Sequence, residues 1–148
     1  MDSGEQPPLV IYRRAPRDLR RAAVAAFART VRQQVSGAPY TCLISDDAEL
    51  RRLNREFLGK DYATDVLSFP EPGSGSLGEI AISADRARAQ AAEYGHPVET
   101  EICILLLHGV LHLMGMDHER DRGKMALAER RWREKLGLPG GLIERAGA

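Results

Sequence analysis

Apolar residues recur along this chain in two rhythms, and each change of rhythm marks an element. Residues 9–13 open with a short apolar run suited to a first strand. From Asp18, placed as an N-cap, to Val35, the residues Leu19, Ala23, Val24, Phe27, Val31 and Val35 return at helical spacing. The other side of that helix carries Arg21, Arg29 and Arg32, which read as a solvated face or a patch for a polyanion. Gly37-Ala-Pro breaks the helix, and residues 40–44 form a second strand. Ser45, Asp46 and Asp47 offer caps for a helix running to Phe57, with Leu50, Leu53 and Phe57 turned inward. A polar loop over 59–65 leads to a strand at 66–69, stopped by Pro70. Residues 71–76 are turn-rich. A fourth strand spans 78–83, and an alanine-rich helix spans 84–94, closed by Gly95.

The pattern then changes character. Over 98–114 the residues Ile102, Ile104, Leu105, Leu106, Leu107, Val110, Leu111 and Leu113 cover nearly the whole circumference of a helix. A helix that is apolar all round is buried at the centre of a domain. A charged amphipathic helix follows over 121–136, with Met125, Ala128, Trp132 and Leu136 as its inward stripe and Gly137 at its end. Residues 1–8 and 138–148 read as flexible ends. Neither a repeat nor a domain boundary interrupts residues 1–148, so the expectation is one domain of the α+β class. Its core is a small, mixed four-stranded sheet packed on helices, with one central buried helix.

Composition narrows the function. Among 148 residues, 21 Lys and Arg balance 21 Asp and Glu, so the net charge is zero. A protein that binds nucleic acid through bulk charge is more basic than this, and any polyanion must meet a local patch. Cys42 and Cys103 lie in apolar surroundings and read as buried free thiols of a reducing compartment rather than ligands. No apolar run reaches membrane-spanning length, and the polar, acidic start is unlike an export signal, so the expected location is the cytoplasm.

Three of the four histidines fall between positions 108 and 118, on the central helix and just beyond it. His108 and His112, four apart, stand one above the other on a single helical face. Gly115 suits a left-handed cap, and the turn there swings His118 back toward the pair. Three nitrogen ligands with a fourth position open to water are how proteins hold a catalytic zinc, here one Zn2+ per chain. The remaining histidine, His96, reads as a surface or capping residue. The spacing His-x3-His-x5-His is shared with metzincin proteases, in which a glutamate follows the first histidine as general base. Here that residue is Gly109, so a peptidase of that type lacks its base.

Two further blocks precede the histidines: residues 53–70, which include Gly59-Lys60-Asp61-Tyr62-Ala63-Thr64-Asp65, and Gly78-Glu79-Ile80. In this order the three blocks resemble the YbeY family of bacterial ribosomal RNA maturation factors, which are metal-dependent endoribonucleases. The histidine motif of that family, HGxLHLxGxDH, is matched at every fixed position over residues 108–118, and the resemblance covers roughly residues 10–137. It implies that His108, His112 and His118 are the zinc ligands and that the loop block borders the cleft. Family members often carry an arginine just before the Gly-Lys-Asp of that block. Leu58 stands there instead, and Arg55 and Lys60 are close enough in sequence to supply a cation.

Phosphodiester hydrolysis suits these residues better than peptide hydrolysis. Zinc lowers the pKa of a bound water and polarises a phosphoryl oxygen, while Lys60 and Arg55 offset charge developing at phosphorus. Asp117 reads either as an acceptor that orients an imidazole or as a plain turn residue. Glu119 reads as a general base or as a surface carboxylate. The leading expectation is a zinc-dependent, single-strand-directed endoribonuclease acting on ribosomal RNA, with ribosomal proteins as further partners and no membrane. A non-catalytic, zinc-stabilised ribosome-assembly factor and a metallopeptidase are the alternatives.

Overall fold

The two rhythms resolve into four strands and five α-helices in a computed structural model of the chain, which describes residues 9–117 and 120–139. In order these are β1 (Val10–Tyr12), α1 (Arg21–Val31), β2 (Thr41–Ser45), α2 (Asp47–Leu58), β3 (Val66–Pro70), β4 (Gly78–Ser83), α3 (Ala84–Tyr94), α4 (Val98–Leu113) and α5 (Lys124–Leu136). The sheet order is β1-β2-β4-β3, with β1, β2 and β4 parallel and β3 antiparallel to β4. The expected class, α+β with a mixed four-stranded sheet, is therefore the class observed. Parallel neighbours need crossovers, which α1 and α2 provide, while β3 and β4 form a hairpin.

The main core lies on one face of the sheet. Val24, Ala28 and Val31 of α1 meet Cys42, Ile44, Ile80 and Ile82 of the strands and Ile102, Leu105, Leu106 and Val110 of α4. Every residue from 101 to 111 is buried, as the all-round apolar pattern predicts. Each such Leu or Ile contributes about 1.5–3 kcal/mol by leaving water, which makes α4 a rigid platform. Its other side packs on α5 through Leu107, Leu111 and Met125. Among the described residues the second face of the sheet is covered by α2, through Leu50 against Leu67 and Ala81. Beside it opens a groove of about 350 Å³ whose lining includes Leu43, Leu53, Phe57, Phe69 and Arg13.

Caps explain most boundaries. Asp46 accepts from the Glu49 N–H at 2.9 Å and Ser83 from the Arg86 N–H at 3.1 Å, which start α2 and α3. Asp121 likewise accepts from the N–H groups of Gly123 and Met125, and α5 begins three residues later than expected, at Lys124. The first helix departs from expectation at both ends. Asp18 does not cap it: its carboxylate pairs with Arg88 at 3.0 Å, and the Arg20 N–H is taken by Glu99 at 2.8 Å, so α1 starts at Arg21. Its last turn, Arg32–Ser36, widens to a π-turn in which the Gly37 N–H reaches the Arg32 carbonyl at 2.9 Å. Ala28, not Ala23, faces inward.

Phe57 corrects a second expectation. It is 65% exposed and lies edge-on to Phe69, with ring centroids 5.7 Å apart, because only the sheet's thinly covered face is there to receive it. Of the expected flexible ends, residues 1–8 and 140–148 lie outside the described residues. Leu138 packs beside Met125 and Trp132, so the ordered chain runs past α5.

Candidate metal centre

His108 and His112 sit on successive turns near the C-terminal end of α4, and the structure brings their Nε2 atoms to 3.1 Å from each other. The other nitrogen of each ring is committed elsewhere. Nδ1 of His108 donates to Oε2 of Glu129 on α5 at 2.8 Å, with the glutamate only 1% exposed. Nδ1 of His112 donates to the Met116 carbonyl at 3.0 Å. That carbonyl is delivered by the turn that ends α4, where the Gly115 N–H bonds the His112 carbonyl and the Met116 N–H the Leu111 carbonyl. The turn needs φ +95° at residue 115, a conformation that only glycine adopts without strain.

These partners fix the tautomers. Carboxylate and carbonyl oxygens only accept, so each neutral ring carries its proton on Nδ1. The two Nε2 atoms face each other across 3.1 Å. Nitrogens bound to one tetrahedral zinc at about 2.0–2.1 Å would stand about 3.3 Å apart. The pair therefore fits a zinc ion in both spacing and donor chemistry. Among the described residues no cluster of three His, Cys, Asp or Glu side chains assembles for a metal. The third expected ligand, His118, and the candidate base Glu119 lie outside those residues.

Gly109 faces the other way. A Cβ at this position would come within 2.9 Å of Cγ2 and 3.2 Å of Cδ1 of Ile80, itself fully buried on β4. The missing side chain lets the sheet approach, and the Ser68 hydroxyl donates to the Gly109 carbonyl at 3.2 Å. Where metzincins place a base, this chain places a packing contact.

The remaining sequence candidates divide. Lys60 is exposed at the end of α2, where its N–H bonds the Asn54 carbonyl at 3.2 Å. Asp61 does not pair with it: its carboxylate is held by Arg51 at 2.8 Å, with Arg55 at 3.8 Å, and the Arg51 hydrogen bond keeps it below the usual carboxylate range. Asp65 accepts from Gln90 at 3.2 Å. Lys60 thus has no ion-pair partner among the described residues. Arg55 is exposed and shares Asp61. Leu58, in place of the family's arginine, is 48% exposed. Asp117 sits with its carboxylate 3.9 Å from Arg120, and its carbonyl accepts the N–H groups of Arg120 and Asp121. His96, expected as a surface or capping residue, is half-buried: its N–H bonds the Ala91 carbonyl at the end of α3 at 3.1 Å, and its Nε2 lies 2.6 Å from Oε1 of the fully buried Glu101, at the far end of α4 from His112. Burial pushes both Cys42 and Cys103 up to about 12, so these free thiols stay protonated near neutrality and are poor ligands.

Glu129 is the residue that sequence reasoning passed over. The signal was there: Met125, Glu129 and Trp132 follow the inward spacing of α5, and a carboxylate inside an apolar stripe demands a partner. The run Glu129-Arg130-Arg131 disguised it as solvated surface.

The family model described as Endoribonuclease YbeY matches residues 14–137. The Endoribonuclease YbeY of Solibacter usitatus is 66% identical over 137 residues, covering 92% of each chain. That of Koribacter versatilis is 56% identical over 103 residues, covering 70% of this chain and 68% of its own. A Thermotoga maritima protein known from its solution structure shares the fold, with a TM-score of 0.59 over 84% of this chain and 87% of its own, at 23% identity. The imidazole pair at the end of the buried helix, the loop after α2 and the match along nearly the whole domain lead to one assignment: the chain belongs to the YbeY family of endoribonucleases.

Proposed function

We propose that this protein is a zinc-dependent, single-strand-directed endoribonuclease that acts in the cytoplasm on ribosomal RNA, in its maturation and in ribosome quality control. One zinc ion per chain would be held by His108, His112 and His118. The observation that carries this reading is the approach of the His108 and His112 Nε2 atoms to 3.1 Å, with Nδ1 of the two rings turned to Glu129 and to the Met116 carbonyl. When bound, zinc supplies a Lewis acid that polarises a phosphoryl oxygen and activates a nucleophile at neutral pH.

The chain's own residues then do the rest. The buried α4 keeps the two imidazoles on rigid backbone, so substrate is met by a preorganised site. Lys60, exposed and without an acidic partner among the described residues, meets a phosphate as a point charge. Arg55 stands on the same end of α2 and reaches substrate only by sharing Asp61. Phosphate contacts of this kind carry most of the affinity for RNA and make it salt-sensitive. An extended peptide is the less suitable substrate, since position 109 offers no base and faces Ile80. No helix among the described residues is long and apolar enough to cross a membrane, which is consistent with a cytoplasmic site of action.

Cleavage of single-stranded and duplex ribosomal RNA fragments, with and without a chelator, tests the proposal, with His112→Ala as control. Cleavage of the single strand that is lost on chelation, restored by Zn2+ and absent in His112→Ala is expected. RNA binding with no metal-dependent cleavage would instead make the protein a zinc-stabilised ribosome-assembly factor, meeting RNA or a ribosomal protein without cutting.

A further inference from the structure

Glu129 has no counterpart in the histidine motif, lies 21 residues from His108 in sequence and belongs to a different helix. It is nevertheless the most deeply committed carboxylate near the imidazole pair. Its side chain is 2% exposed, in line with Met125, on a helix whose neighbours are Leu107 and Leu111. A carboxylate buried in such surroundings costs several kcal/mol unless it is paired and hydrogen-bonded. A nonpolar residue would fill the place at lower cost. The carboxylate therefore calls for a role, and the 2.8 Å bond to Nδ1 of His108 gives it one.

We infer that Glu129 is the positioning residue of the metal centre: it holds His108 as the Nδ1–H tautomer with Nε2 toward the ion, and so ties the docking of α5 to metal retention. This rests on the metal reading above. The two imidazoles are held unequally. His112 is oriented by a backbone carbonyl within its own turn, at 3.0 Å, whereas His108 is oriented by a carboxyl group brought in from α5, at 2.8 Å. A carboxylate on the far nitrogen makes the near nitrogen a better donor and offsets part of the charge of a divalent ion held by neutral ligands. It also fixes ring orientation, because the acceptor is rigid: α5 is anchored on either side of Glu129 by Met125 and Trp132. The two equilibria are then linked. Whatever loosens α5 frees the His108 ring, and whatever fills the metal position holds α5 down.

The test is Zn2+ affinity, measured by competition with a chromophoric chelator on the full chain, for wild type, Glu129→Gln and Glu129→Ala. Circular dichroism and thermal unfolding of the metal-free forms run alongside. Glu129→Ala is expected to lose about 10–100-fold in affinity. Glu129→Gln keeps the shape and one acceptor but not the charge, so it should fall between the two. The rise in melting temperature on adding Zn2+ should shrink in the same order. If both variants lower the melting temperature of the metal-free protein while wild type and variants bind Zn2+ equally, Glu129 is only a packing residue and the inference fails. Should folded wild type itself take up no Zn2+, the metal reading falls, and this inference with it.

Discussion

Gly109 separates the packing of this domain from its chemistry, and Gly109→Ala weighs the two. A methyl group there would sit 2.9 Å from Cγ2 of Ile80 and 3.2 Å from its Cγ1 and Cδ1. Ile80 is 1% exposed and β-branched, so Cγ2 cannot swing away without taking the β4 backbone along. Overpacking of this kind costs about 1–3 kcal/mol, against which alanine gains about 1 kcal/mol over glycine in a helix interior. The net expectation is a loss of about 1 kcal/mol, or about 3 °C in melting temperature for a domain of this size. Urea unfolding of Gly109→Ala, Ile80→Ala and the double variant isolates the contact. Ile80→Ala alone should cost about 2–5 kcal/mol through the cavity it leaves, and the added methyl should recover part of that loss. Additivity within about 0.5 kcal/mol would refute the steric account, as would a Gly109→Ala protein more stable than wild type. Gly109→Glu, which restores the carboxylate of the protease pattern, should destabilise more than alanine and confer no peptide cleavage, because its Cβ points at β4 rather than at the imidazoles. Cleavage of unstructured peptides by the parent protein would overturn the substrate class.

Other residues give sharper single readouts. Lys60→Ala should weaken binding to single-stranded RNA and flatten its log–log salt dependence by about 0.7, with zinc content and melting temperature unchanged; equal slopes would move the RNA contact to the arginine face of α1. Leu58→Ala, at a position 48% exposed, should barely change stability. Cys42 and Cys103, protonated and buried, should ignore an aromatic disulfide reagent at neutral pH and release two thiols only in denaturant; rapid reaction of the folded protein would contradict their burial. Burial pushes Glu49 up, but hydrogen bonds from Arg52, Ser45 and Arg13 outweigh it and leave its carboxyl below the ordinary range. Its contribution to stability is thus complete above the ordinary glutamate pKa of about 4.3 and is lost as pH falls through the lowered folded value. In urea unfolding, the gap between wild type and Glu49→Gln should be widest at neutral pH, start to shrink only as pH falls under about 4.3, and close once the lowered folded pKa is passed; a gap that widened in acid would reverse this reading.

How much of this was legible beforehand depended on whether a residue's role was set locally. The span of β4 and α3, the cap at Asp46 and the burial of α4 all follow from neighbours a few residues away. The facing of His108 and His112 follows from helical spacing alone. Asp18 was misplaced because a distant arginine, Arg88, outbids the local N–H groups for its carboxylate. Phe57 was misplaced because periodicity tells which side of a helix is apolar but not whether the layer beneath extends far enough to cover it. Glu129 was missed for the same kind of reason: its partner is on another helix, and only the packing of α5 on α4 brings them together.

The fold also sets how the two ends of the candidate site relate. Ser68 bonds the Gly109 carbonyl on one face of the sheet, while the next residue, Phe69, meets Phe57 of α2 on the other. Strand β3 thus separates the helix bearing the imidazoles from α2, which ends at Leu58, two residues before Lys60. It is also the outer strand of the sheet, paired only with β4 and ending at Pro70, which has no N–H to offer. An RNA strand that met both His108 and Lys60, as proposed above, would cross from one face of the sheet to the other around this edge. An unpaired strand can bend around one β-strand, whereas a stiff helical duplex would have to be opened or distorted to follow the same course. The single-strand preference proposed for this protein would then follow from the course of β3, before any base is recognised, and equal affinity for single-stranded and duplex RNA would count against it.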